Sequence, residues 1–374
     1  MKAAISEIID PREAHHPRLT RRLLGQEAAE QRLIAAYLSG KLHHAWLLAG
    51  PRGIGKATFA YRFARFLFSH PDPTAFATPP QSLDIAPEDS AAKLVAARSH
   101  PDLLVVRRAI DLTKEPLKSG PDAKIGRLKG GISVDESREA SRFFSLSPAM
   151  GGWRICIVDA ADELNAVAAN SLLKVLEEPP ARSVFLIVAH APGRLLATIR
   201  SRSIKLDLKP LSTDAVVEVM RDLGAGAGSS PDELAAIAAL AQGSPGRARD
   251  LIGSQGARLF LKFQDLAGQP SPFARGGLLE IAGRLKRLDA AEDFPVFSDL
   301  LADWIAATAR RRAMSGGACA AQPWAQAHRD IGHSIRRANA LNLDRRQVLL
   351  EAFASIEEAA RLAPAPSRAP MKTE

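Results

Sequence analysis

Cysteine is nearly absent: Cys156 and Cys319 are the only two in 374 residues, and they stand far apart. Counting therefore excludes a disulfide framework and any four-cysteine zinc site. Aromatic residues make up only 5% of the chain. No stripe of interleaved arginines and aromatics is present, so nothing supports a protein that holds nucleic acid by base stacking. No apolar run reaches the roughly 18 residues that a membrane span needs. The opening Met1-Lys-Ala-Ala-Ile-Ser-Glu7 lacks the apolar stretch of a secretory signal. Together these absences predict a cytoplasmic protein with no membrane attachment.

The remaining composition is that of a folded protein, 46% hydrophobic and 24% charged, with length for two or three domains. A net charge of +9 suits a partner that carries phosphates, and the sequence alone permits DNA, RNA or bound nucleotide.

One segment is more specific. The apolar run Ala45–Ala49 leads into Gly50-Pro-Arg-Gly-Ile-Gly-Lys-Ala-Thr58, and from Lys56 to Phe68 the apolar residues Phe59, Phe63, Phe66 and Leu67 recur on one helical face. Strand, glycine loop and helix in that order make a P-loop, in which backbone N–H groups cradle phosphates, a lysine meets the terminal phosphates and a hydroxyl holds Mg²⁺. Gly50, Gly53, Gly55 and Lys56 are in place, but the hydroxyl position is Ala57. Thr58 does not replace it, because one helical step turns a side chain by about 100°. The loop is built for phosphates without the metal ligand.

A second departure lies on Arg154-Ile-Cys-Ile-Val-Asp159. An Asp ending such a strand is where P-loop enzymes place a metal-side carboxylate. The following position, where hydrolysing relatives carry a glutamate that polarises water, is Ala160. Asp162 and Glu163 read as a helix N-terminus. Two catalytic parts missing together predict a site that does not hydrolyse.

Further strand-length apolar runs, Leu103–Val106, Ile155–Val158, Val184–Val188 and Ile204–Leu208, alternate with helical segments at Asp135–Phe144 and Asn165–Glu177. Such alternation predicts an α/β domain with a parallel sheet and helices on both faces. The stretches His70–Pro101 and Thr113–Gly131, rich in Pro, Gly, Lys, Asp and Ser, read as partly mobile surface excursions. Beyond Leu208 short Ala- and Leu-rich helices take over. The expected organisation is a sheet domain over 1–210, a small helical lid domain over 211–268, a C-terminal all-helical domain over 269–362 with Trp304 and Trp324 in its core, and a disordered Pro-rich tail over 363–374.

Several motifs run through this frame in order: Gly25-Gln-Glu27, His44–Pro51, His100-Pro-Asp102, Asn170-Ser-Leu-Leu-Lys-Val-Leu-Glu-Glu-Pro-Pro180, Arg194–Ser203 and Gly243-Ser-Pro-Gly-Arg-Ala248. With them the chain resembles the delta-prime family of bacterial DNA polymerase III clamp loader subunits, in the AAA+ superfamily, over about residues 20–250. The resemblance implies an AAA+ domain, a lid, and a helical collar that assembles with ATPase subunits of the gamma/tau type and a delta subunit, to load a sliding clamp on primed DNA. Ser201-Arg202-Ser203 matches the family's Ser-Arg-Cys motif, which implies that Arg202 is an arginine finger acting in trans on a neighbour's ATP. Such a guanidinium can contribute roughly 10³–10⁵ in rate.

Departures from the family pattern sharpen the expectation. The zinc module of many relatives has no counterpart cysteines between the loop and His100, and a sensor arginine of motor subunits is replaced by Gly246, with Arg247 one step away. No metal and no required cofactor are expected. Weak nucleotide binding at the degenerate loop, with Asp159 beside it, stays open. The expected role is a non-motor stator without ATPase or polymerase activity of its own. The alternative is an active motor subunit of the gamma/tau type, against which Ala57, Ala160 and Gly246 all speak.

Overall fold

The computed structural model describes residues 8–9, 13, 16–119, 123–267, 275–286, 293–341 and 343–362. The expected tail over 363–374 and the Gly268–Pro272 boundary lie outside the described residues. The chain forms two compact units. The first runs to Val219 and includes Gln242–Gly246, and the second holds Met220–Ala241 and the chain from Arg247 onward.

In chain order the first unit contains β1 (Ile8–Ile9), α1 (Glu27–Leu38), β2 (Ala45–Ala49), α2 (Lys56–Ser69), α3 (Ser90–Ala96) and β3 (Leu103–Arg107). It continues with β4 (Leu117–Ser119), β5 (Ala123–Ile125), α4 (Val134–Phe144), β6 (Arg154–Asp159), α5 (Ala166–Glu177), β7 (Ser183–Ala189), α6 (Ala197–Ser201) and β8 (Ile204–Asp207). Five of these strands form one sheet in the order β3-β6-β7-β2-β8, and every pairing in it is parallel. That is the parallel α/β sheet with a P-loop that the sequence predicts, with element ends shifted by a residue or two.

The apolar runs become strands because the central ones are buried on both sides, as parallel sheets require. Successive residues serve opposite cores. Trp46, Leu48, Ile155, Ile157, Val184 and Leu186 pack with Leu33 of α1 and Phe59, Phe63 and Phe66 of α2. Leu47, Cys156, Val158, Phe185 and Ile187 pack with Phe144 of α4, Leu172 and Leu176 of α5, and Ile199 of α6. Burial pushes the Cys156 thiol far above its ordinary range, so it behaves as an apolar residue.

Both excursions carry more structure than their composition suggests. Within His70–Pro101, α3 is capped by the Asp89 side chain, which accepts from Ala92 N at 3.0 Å, and buries Ala91, Ala92 and Val95. Leu83 is buried beside it. Within Thr113–Gly131, β4 and β5 pair antiparallel, and β1 joins β5 in a three-stranded sheet. Asp162 and Glu163 begin no long helix. They lie in a 3-10 turn, Ala161–Glu163.

The helices α7 (Thr213–Asp222), α8 (Pro231–Leu240), α9 (Pro245–Leu251), α10 (Gln255–Ala267), α11 (Arg275–Leu285), α12 (Asp293–Leu341) and α13 (Arg345–Leu362) follow. Among its described residues the second unit thus contains helices and the turns between them, with no strand. Its core brings Phe263 of α10, Phe297 and Trp304 of α12 and Phe353 of α13 together. Trp324 is buried and meets Trp304 edge-on at 5.7 Å, so α12 folds back on itself. The reversal falls at Gly317, whose φ of +70° suits glycine. No described helix is long and apolar enough to cross a membrane.

Candidate functional site

The C-terminal ends of parallel strands are where α/β proteins bind ligands, because helix N-termini and loops gather there. β2 ends in the glycine loop. Gly55 has φ +98°, a left-handed conformation that favours glycine, and a Cβ there would lie 2.5 Å from Leu23 Cδ1, which would have to shift. Lys56 opens α2 and is 3% exposed. Its Nζ donates to the carbonyls of Gly50 at 2.7 Å and Pro51 at 2.5 Å. Burial lowers its pKa to about 8, against the opposing pull of Asp159 and Asp162. An anion beside Nζ would relieve that desolvation.

Ala57 brings no hydroxyl to the loop, and Thr58 is buried at 8% exposure. On the neighbouring strand end, Asp159 closes β6 and Ala160 is buried. The two carboxylates after it serve the fold: Asp162 Oδ1 accepts from Ala191 N at 2.8 Å, and Glu163 pairs with Arg108 at 2.8 Å. Among the described residues no group of three or more His, Cys, Asp or Glu side chains gathers as a metal site would need.

Sequence reasoning missed His190. It follows β7 directly, and its backbone N–H donates to Asp162 Oδ2. Burial, reinforced by Lys56, lowers its pKa to about 4, and its Nδ1 is buried without a hydrogen-bond partner. The His190 imidazole is thus neutral at ordinary pH, within the field of the Lys56 ammonium. The available signal was its position at the mouth of an apolar strand.

Residues Gln242–Gly246 form a strap against the loop. Ser244 Oγ donates to Arg52 O at 2.8 Å, and Gly246 N donates to Gly53 O at 2.9 Å. A Cβ at Gly246 would fall 2.8 Å from Gly53 Cα. Any side chain at this position, including the arginine of motor subunits, collides with the loop backbone. Arg247 is engaged within the second unit, 2.6 Å from Asp303.

The basic run around Arg202 resolves into three separate engagements. Arg200 Nη1 donates to the carbonyls of Pro192, Gly193 and Leu195 at 3.2–3.3 Å and holds the turn before α6. Lys205 pairs with Asp207 at 2.8 Å. Arg202, the C-cap of α6, donates from Nη1 to Thr198 O at 3.1 Å, while Nη2 lies 2.6 Å from Glu177 Oε1. Its side chain is 34% exposed.

Other motif residues hold the scaffold. The Gln26 amide pairs in both directions with the backbone of Lys209, at 2.7 and 3.1 Å. Asp102, 1% exposed, accepts from Ala149 N and Met150 N at 2.8 and 2.9 Å and faces Arg154 Nε at 3.5 Å.

A family model described as "DNA polymerase III, delta subunit" matches residues 25–212, half of the chain. The chain belongs to this family. Two relatives are DNA polymerase III subunits delta'. The one from Pseudomonas aeruginosa is 32% identical over 61% of this chain and 62% of its own. The one from Escherichia coli K12 is 32% identical over 59% of this chain and 58% of its own. The chain thus spans about three fifths of these relatives' length. The DNA polymerase III subunit tau of Bacillus subtilis is 27% identical over 54% of this chain and 31% of its own. A solved gamma subunit-related protein of Thermotoga maritima aligns with 91% of this chain and 100% of its own at 17% identity. Its TM-score of 0.37 is too loose to add to the family assignment.

Proposed function

We propose that the chain is a non-motor subunit of the DNA polymerase III clamp loader, which supplies geometry and Arg202 to an ATPase neighbour. The observation that carries this reading is the pairing of an incomplete nucleotide loop with a guanidinium held at the surface by Glu177. Lys56 can meet a phosphate, but Ala57 brings no metal ligand, Ala160 no water-polarising carboxylate, and Gly246 has no space for a sensor side chain. Catalysis in cis therefore lacks three parts. The Arg202 side chain is 34% exposed and accessible to a neighbour's γ-phosphate, where it would stabilise charge on the transferring phosphoryl group.

In this reading the partners are gamma/tau-type ATPase subunits and a delta subunit, with the sliding clamp and primed DNA met through the assembly in the cytoplasm. Nucleotide at the loop of this chain is not required. Measuring ATP hydrolysis by the lone chain, by the ATPase subunits, and by the mixture with clamp and primed DNA tests the proposal. Silence of the lone chain with stimulation in the mixture is expected. Turnover by the lone chain would instead assign it as a motor.

A further inference from the structure

Arginines converge on one partly enclosed cavity in the first unit, and none of the phosphate-loop residues lines it. Arg18 and Arg21, ahead of α1, and Arg62 and Arg65 of α2 border a cavity of about 70 Å³, in which Asp84 is the one lining carboxylate among the described residues. Arg18, Arg62 and Arg65 are 8%, 4% and 6% exposed. Arginines so deeply buried are ordinarily matched by carboxylates.

Arg62 is matched, by Glu30 at 2.7 Å and Asp84 at 2.6 Å. Arg65 is not. Its Nη1 and Nη2 donate only to the backbone carbonyls of Arg18 and Thr20, at 2.9 and 3.0 Å. Burial and the neighbouring Arg62 and Arg21 lower its pKa to about 10. Arg18 donates from Nε to Ala96 O at 2.8 Å and pairs with Glu13, but its Nη1 is buried and meets no acceptor. Glu13 is shared with Arg98. Among the described residues Glu13, Glu30 and Asp84 stand against Arg18, Arg21, Arg62, Arg65 and Arg98, two more positive charges than negative.

We propose that this cavity binds a small free oxyanion of the inorganic phosphate class. Its charge offsets the excess, and its oxygens accept from guanidinium N–H groups in the strongest hydrogen-bond geometry proteins use. The volume is several times the about 10–15 Å³ that a cavity needs to hold one water, which makes room for a tetrahedral anion. Bound there, the anion ties the segment before α1 to α2, the helix that the phosphate loop opens. The site acts independently of nucleotide at Lys56 and of Arg202.

Equilibrium dialysis of the full chain with radiolabelled inorganic phosphate, at ionic strength fixed with chloride, tests this. One phosphate per chain is expected, retained in Lys56→Ala and weakened at least about tenfold in Arg65→Gln and Arg21→Ala. Arg21 is exposed, so Arg21→Ala separates loss of binding from loss of fold. Absence of binding to the wild type would overturn the proposal. So would loss in Lys56→Ala, which would assign the anion to the phosphate loop, or unchanged binding in both arginine variants.

Discussion

The guanidinium of Arg202 lies 2.6 Å from the carboxylate of Glu177, which joins the C-cap of α6 to the last residue of α5. Two family motifs that are separate in the sequence thus meet in one ion pair. Both partners are partly exposed, at 34% and 48%, so the pair orients Arg202 more than it stabilises the fold. Glu177→Gln is expected to cost less than about 1 kcal/mol in a urea unfolding curve. A much larger loss would make Glu177 a structural residue.

Lys56 predicts a pH dependence. Its folded pKa of about 8 lies below the ordinary 10.5, so the folded chain disfavours the ammonium. The stability this costs at neutral pH is recovered as the pH rises from about 8 to 10.5, where the unfolded chain holds the extra proton. ATP affinity moves the other way: above about pH 8 the free protein loses the charge that meets phosphate. Fluorescence titration with a labelled ATP analogue is expected to show weak binding that declines by up to about tenfold per pH unit above that point. Lys56→Ala is expected to abolish the slope.

Gly246→Ala places a methyl group against Gly53 and forces the strap off the loop. A loss of about 1–3 kcal/mol is expected, readable as a lower urea midpoint at unchanged slope. Gly246→Arg is expected to destabilise further and to confer no hydrolysis, because Ala57 and Ala160 remain.

Asp102 is buried, receives two backbone N–H groups and faces Arg154. Asp102→Ala leaves Arg154 buried with a lost charge partner and is expected to cost about 3–5 kcal/mol in a denaturant titration. Asp102→Asn, which keeps an acceptor, is expected to cost less.

Much of the fold was legible because central parallel strands must be apolar on both faces. Runs such as Ile155–Val158 and Val184–Val188 therefore stood out, and Phe59, Phe63 and Phe66 marked the helix after the loop. The small sheet was not legible, since β4 and β5 are three residues long and carry Lys118 and Lys124 with no alternating apolar pattern. The helix α3 was hidden by Pro-rich flanks and its seven-residue length. At the site, Gly50, Gly55 and Lys56 could be read from local spacing. His190 and the closeness of Gly246 to Gly53 could not, because both depend on contacts between segments distant in the chain. Glu177 had a motif around it but no visible partner until the fold brought Arg202 to it.

The central claim is that Arg202 acts on a neighbour's ATP. The direct measurement is DNA- and clamp-stimulated ATP hydrolysis by the reconstituted clamp loader with wild-type chain, Arg202→Ala and Arg202→Lys, assembly being checked by gel filtration. The account predicts intact assembly, no hydrolysis by the lone chain, a loss approaching the roughly 10³-fold scale at the affected site in Arg202→Ala, and little rescue by lysine, which lacks the planar fork. Unchanged stimulated hydrolysis in an intact Arg202→Ala assembly would contradict it.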